Sequence, residues 1–462
     1  MPERLTTLDA SFLYLEKRHL HMHVGGLAVF DPARAAGRLT LDRLRDVTAS
    51  RLHLVPRFRQ KVRFPVIGSG RPVWVDVPVD LEYHIRHVTV ARPGGPRELA
   101  ALAGQIHSQQ LDRGKPLWEM YLVDGIEGGN QATLTKTHHA MLDGVGGMDV
   151  CALLLDQTPE PAAVTIEPWN PPIEPSALRL LVDALLDRAI EPAITLARAA
   201  SSAILHPRAT AANAAVVAIG AARSLARGLA PRSSFNTPVG ATRRFAMTDV
   251  TLDDARAVKS ALGGTVNDVI LTTVADALSR FLEHRGEPTE GRVLRSTMPA
   301  STRGRAGQPG QNNQVTTLFV DLPVGPMDVA QRLQQVIETT QALKASHEDD
   351  AAAALMSLGV LVPPVVQQSV LRWGNDHLRI MNLVASNVPG PQISLYLDGM
   401  PLVAYYPLMP LGAETALSIA VVTLVGVMGF GFSADWTAFP DLESLVQYAG
   451  DSFEDLRKAA AV

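Results

Sequence analysis

Two adjacent histidines, His138 and His139, stand in the stretch "TKTHHAMLDGVGGMDV", with Asp143 four residues beyond the second and a glycine-rich run opening at Gly144. An imidazole titrates near neutrality, so it can take a proton from a hydroxyl and return it later. The alternation of apolar and polar residues before His138 marks the exit of a strand, where successive side chains point to opposite faces. His138 and His139 therefore cannot serve one site equally. If a turn or helix starts after them, His139 and Asp143 can approach from one side, and the glycines leave room beside the ring. Spacing alone keeps two readings open: a catalytic base, or hydrogen-bonded residues at a strand end.

Several other chemistries lack their residues. There is no His-Glu-x-x-His ligand pair for a zinc hydrolase, no Gly-x-Ser-x-Gly elbow and no Gly-x4-Gly-Lys-Ser/Thr phosphate loop. "GFGFSA" from Gly429 imitates a dinucleotide fingerprint weakly, but no helix signal follows it. His19, His21 and His23 alternate as if on one strand face and invite a metal reading. The single cysteine, Cys151, excludes an internal disulfide and reads as a buried, inert thiol.

Composition bounds the rest. With 462 residues, 47% of them hydrophobic, the chain can bury one large core or several smaller ones. A net charge of -4 and the lack of any basic run speak against nucleic acid. The single cysteine suits a reducing cytoplasm, and no signal peptide or lipidation signal is visible. The uncharged run Thr415 to Ala434 is long enough to span a bilayer as a helix. Its glycines and β-branched residues instead predict two buried strands, about Ala416 to Val425 and Val427 to Ala434, turning at Gly426.

The elements that must position the histidines alternate between strand and helix over the first 165 residues, with "LWEMYLVDG" and "QATLTKTHH" joined by a hairpin loop. Prolines then break the pattern. Residues 166–244 read as a helical connector, in which Leu178, Leu181, Val182, Leu185 and Leu186 form an apolar helix face and a second alanine-rich helix follows from about Ala211 to Leu229. Nine arginines against three acids make residues 175–245 locally +6, a surface suited either to water or to anionic lipid. A second α/β region occupies 245–462.

The His-His-x-x-x-Asp-Gly stretch resembles the signature of the bacterial wax ester synthase/diacylglycerol acyltransferase family, a branch of the coenzyme A-dependent acyltransferases with the chloramphenicol acetyltransferase-like fold. Other blocks agree in order along nearly the whole chain: "LTTLDASFLYLE", "MHVGGLAVFD", "WVDVPVDLEYHIRH", "DRGKPLWEMYLVDG", "TVNDVILTTVADAL", "MPASTR", "NNQVTTLFVDLP" and "SNVPGP". A departure lies in "VVTLVGVMGFGFSADW", which lacks the serine-tyrosine pair expected there and bears on the distal pocket.

The resemblance implies two acyltransferase-like α/β domains, 1–165 and 245–462, with the site in a channel between them. It implies transfer of a long-chain acyl group from acyl-coenzyme A to diacylglycerol, and also to fatty alcohols, with His139 as the base. On this reading His138 orients the strand end and Asp143 makes a structural ion pair. Asn267 is a candidate oxyanion donor beside Asp268; the alternative is that both cap the helix that begins there. Pro116, Leu117, Trp118 and Glu119 match a Pro-Leu-Trp block, with Trp118 expected in the core or an acyl-pocket wall. Because His21 and His23 fall in a family block, a structural strand is expected there, with no metal and no cofactor. The protein is expected at the inner membrane or lipid-droplet surface. Two other readings keep the fold: acyl-thioester condensation with an amine or polyketide hydroxyl, and a catalytically silent lipid-surface binding protein.

Overall fold

The computed structural model describes residues 2–35, 37–65, 70–141, 154–161, 163–166, 168–206, 208, 228–301, 315–345 and 364–462. Asp143, Gly144, Cys151 and nearly all of the expected second connector helix lie outside them.

The first part of the chain runs α1 (Thr7–Leu15), β1 (His23–Phe30), α2 (Leu41–Arg51), β2 (Gln60–Arg63), β3 (Val73–Asp76), α3 (Leu81–His84), β4 (Ile85–Thr89), α4 (Pro96–His107), β5 (Trp118–Asp124) and β6 (Gln131–His138). The connector contributes α5 (Ala177–Leu205). There follow β7 (Arg243–Thr251), α6 (Leu252–Leu262), α7 (Val266–His284), β8 (Val293–Ser301), β9 (Val315–Pro323), α8 (Val329–Ala345) and α9 (Pro364–His377). The last part is β10 (Leu383–Pro389), β11 (Tyr396–Leu397), β12 (Met400–Leu408), β13 (Leu417–Leu424), β14 (Val427–Asp435) and α10 (Leu442–Ala459).

Two six-stranded mixed sheets organise the molecule, ordered β11-β12-β1-β6-β5-β4 and β7-β14-β13-β10-β8-β9. The expected α/β architecture is present. Strands β5 and β6 form the expected antiparallel hairpin. The long apolar run is likewise the expected strand pair, β13 and β14, with positive φ at Val425 and Gly426 in the turn. Both strands are interior members of their sheet, and β13 is buried along its whole length, so no polar face breaks the hydrophobic run. Among the described residues no helix is long and apolar enough to cross a membrane.

Sheet membership departs from the expected boundary at residue 245. Strand β12, far into the second part, pairs antiparallel with β1, from Gly25 opposite Leu408 to Phe30 opposite Leu402. Glycines explain how the two sheets can meet there. A Cβ on Gly429 would stand 2.0 Å from the Tyr405 carbonyl oxygen, and one on Gly431 only 1.8 Å from that of Pro407. The alternate glycines that imitate a nucleotide fingerprint thus clear one face of β14 for the backbone of β12. His19 also differs from expectation: it sits in a tight turn closed by Lys17 and Leu20, and the strand begins only at His23.

Candidate active site

Strand β6 ends at His138, and a single 3-10 turn, His139–Met141, follows at once. Hydrogen bonds from three backbone amides hold this exit. The His138 amide donates to the Leu117 carbonyl at 2.9 Å, the His139 amide to Met22 at 2.8 Å, and the Ala140 amide to the His138 Nδ1 at 3.1 Å. Helix α1 lies against the turn and meets the two imidazoles separately. Phe12 stacks on His139, with ring centroids 3.8 Å apart, while Glu16, one helical turn further on, faces His138.

The His139 ring is half-buried, and its Nδ1 finds no hydrogen-bond partner among the described residues. Loss of hydration pushes its pKa down to about 4, the adjacent His138 adds to the shift, and contact with its own backbone carbonyl opposes it. His139 is therefore neutral at physiological pH, with a lone pair available for a proton.

Behind it lies a sealed polar cluster. Glu16 Oε2 is 3.7 Å from His138 Nε2, and Oε1 is 3.4 Å from His23 Nε2. Arg113 donates to Oε2 from Nε at 2.9 Å and from a terminal nitrogen at 2.5 Å. Burial alone would raise the Glu16 carboxyl; the nearby imidazoles and the Arg113 guanidinium outweigh it and hold the group well below the usual carboxylate range. His21 and His23 stack in parallel at 5.2 Å and are each pushed to about 4, burial being the largest cause. Atoms of Glu16, His21 and His23 approach within 4.8 Å of one another, a donor set of the kind a metal could use. Against that use, the Leu111 amide already donates to His23 Nε2 at 3.4 Å and Arg113 neutralises the carboxylate.

The Pro-Leu-Trp block supports the same exit from the next strand. Leu117 and Trp118 are fully buried, and Trp118 lies between Phe58 at 4.7 Å and His84 at 4.4 Å. That places Trp118 in the core of the first sheet, with Pro116 leading into it. Glu119 pairs with the buried Lys136 at 2.8 Å and accepts from the Tyr121 hydroxyl at 2.7 Å.

In the second part, the helix cap is Thr265 rather than Asn267 or Asp268. Asp268 completes the capping box by accepting from the Thr265 amide at 2.8 Å, and its other oxygen accepts from Thr340 at 2.7 Å. Asn267, one position earlier, accepts at 3.2 Å from the Asn387 side chain, which comes from the "SNVPGP" segment. The structure thus joins two motifs of the second part through one hydrogen bond. Phe12, Glu16, Arg113 and Asn387 were not singled out by spacing; the only sign of them in the sequence is that each falls within one of the ordered blocks.

A model of the wax ester synthase/diacylglycerol acyltransferase catalytic domain matches residues 5–270, and the family's C-terminal domain matches 311–457. The chain belongs to this family. A probable diacylglycerol O-acyltransferase of Mycobacterium tuberculosis is 31% identical over 464 residues, spanning 98% of both chains. Among solved structures, the wax ester synthase/diacylglycerol acyltransferase of Marinobacter aquaeolei is 25% identical, with a TM-score of 0.69 over 99% of this chain and all of that one. The first condensation domain of the CDA synthetase shares the fold at 14% identity, with a TM-score of 0.58 over 100% of this chain and 96% of that one. Membership of the wax ester synthase/diacylglycerol acyltransferase family and the two-sheet acyltransferase fold are therefore both shown.

Proposed function

We propose that the protein transfers a long-chain acyl group from acyl-coenzyme A to diacylglycerol, and also to fatty alcohols, with His139 as general base. The protein is an acyltransferase by its family. The observation that carries the assignment of the base is the uncharged, half-buried imidazole of His139 at the exit of β6, within the matched catalytic domain.

The chemistry follows from that state. Neutral His139 takes the proton of the acceptor hydroxyl as its oxygen forms a bond to the thioester carbonyl carbon. The tetrahedral intermediate collapses by breaking the carbon–sulfur bond, and the coenzyme A thiolate leaves with the proton that His139 held. The thioester is already activated, so no covalent enzyme intermediate, cofactor or metal is called on. Asn267 is the proposed oxyanion donor from the second part, and Asp143 is proposed as a scaffold residue of the same motif as His139. Because acceptor and product both dissolve in lipid, the protein works as a peripheral protein at the inner membrane or a droplet surface.

Radiolabelled acyl-coenzyme A offered with diacylglycerol and a fatty alcohol at matched concentration tests the reading. His139→Ala should lower transfer to both acceptors about 100- to 10,000-fold while leaving the fold intact. Unchanged activity in that variant, or neither lipid product from the folded wild type, would overturn it. An amine acylated in preference to either alcohol would move the assignment to condensation chemistry.

A further inference from the structure

Helix α9 is docked on one side and bare on the other. Its inner side is clasped to α1: Asp376 accepts from Lys17 Nζ at 2.6 and 2.7 Å, and Arg372 Nε donates to the Tyr14 carbonyl at 2.8 Å. Its outer side carries Val366, Val370 and Trp373, exposed by 48%, 61% and 57%. Spacings of four and three residues put the three within about 60° of arc on a helix that advances roughly 100° per residue. His377, one turn beyond, stacks on Trp373 at 5.5 Å and extends the stripe with a ring that has a polar edge. Large apolar side chains gathered on one exposed face mark an interaction surface.

We propose that this stripe is where the protein rests on a lipid surface, and that it brings His139 to the boundary from which the acceptor is drawn. Three observations favour a lipid over a protein partner. Arg372 lies at the border between the two sides, its Nε tied to the Tyr14 carbonyl and its side chain otherwise exposed, while Asp376, the acid of this helix, is neutralised by Lys17, so the bare side presents no unpaired negative charge to anionic headgroups. A tryptophan beside a cation, above a short apolar stripe, suits the interfacial zone of a bilayer, where one end of the side chain is wet and the other is not. The docking partner of α9 is α1, the helix whose Phe12 stacks on His139, so among the described residues α1 links the helix that bears the stripe to the proposed base. The second element with an exposed apolar face, α5, shows Leu178, Leu185 and Ile190 outward. It packs through Leu180 on Val73 and Val75 of β3 rather than on α1, and along its length three arginines (Arg179, Arg188, Arg198) are balanced by three acids (Asp183, Asp187, Glu191). The inference rests on the acyltransferase reading, because that reading supplies the lipid-dissolved acceptor.

Flotation of the full-length protein with vesicles of phosphatidylcholine and phosphatidylglycerol is the test, paired with tryptophan fluorescence in vesicles of brominated lipid. Wild type should float, and bromine should quench a component of its emission that is missing in Trp373→Phe. The combined Val366→Ser, Val370→Ser, Trp373→Ser variant should bind vesicles roughly tenfold or more weakly, with transfer to a short, water-soluble alcohol unchanged. A Leu185→Ser, Ile190→Ser variant on α5 should bind as wild type. The proposal falls if the α9 variant still floats, if the α5 variant alone loses binding, or if wild type transfers acyl groups in solution without binding vesicles. Quenching at Trp373 in a protein that transfers to neither lipid acceptor would instead uphold the docking surface and overturn the enzymatic reading.

Discussion

Each half of the molecule buries a cluster of charged and polar side chains, and the two are satisfied to very different degrees. In the second half, Arg332 donates to Asp276 Oδ1 at 3.0 Å and to the carbonyls of Pro323 and Gly325, while Asp276 Oδ2 accepts from Arg280 and Ser452. In the first half, Glu16 Oε1, His23 Nδ1, His107 Nε2 and His138 Nε2 are buried with no hydrogen-bond partner among the described residues. A saturated network fixes a core, whereas an unsaturated one costs stability and persists where the surrounding structure imposes it. The unsaturated cluster is the one directly behind His139. Asp276 therefore serves stability and Glu16 serves position.

Breaking each cluster should separate those roles. Asp276→Ala strands a buried guanidinium, so it should cost about 3–5 kcal/mol in urea unfolding, while activity per folded molecule stays close to wild type. Glu16→Gln keeps the shape but removes the charge that Arg113, His23 and His138 face. It should lower kcat about 10- to 100-fold through misplacement of the His139 turn, with little change in KM; a KM effect alone would end the positional reading.

Acid should expose the difference more gently. His21 and His23 are held at about 4 when folded, against roughly 6.5 when unfolded. Below that unfolded value the unfolded chain binds protons that the native state refuses, so stability is complete above about pH 6.5 and declines as pH falls towards 4. Between about pH 7 and 6 the loss should be on the order of 1–2 kcal/mol. Denaturant titrations at the two pH values check it, and His21→Asn should flatten the slope while Asp276→Ala should not.

How much of this could be read in the sequence depended on how local each cause was. The β13–β14 hairpin was legible because Gly426 and the β-branched run act within a few residues. The separation of His138 from His139 was legible in part: alternation assigns them different surroundings but does not name Phe12 or Glu16, which lie more than a hundred positions earlier. The capping box at Thr265 was missed because Asn267 and Asp268 are themselves favoured caps, and only the fold shows the cap two residues before Asn267. Gly429 and Gly431 were rightly placed in a strand, but their purpose was not legible, because close approach of a distant backbone leaves the same mark as a phosphate loop.

The pairing of β1 with β12 also sets an order in time. A ribosome that has released Gly25 must add everything up to Leu408 before the neighbour of β1 on that side exists. Until then the nascent chain carries an open strand edge, so completion of the first sheet comes late, after β7 to β10 of the second have been made.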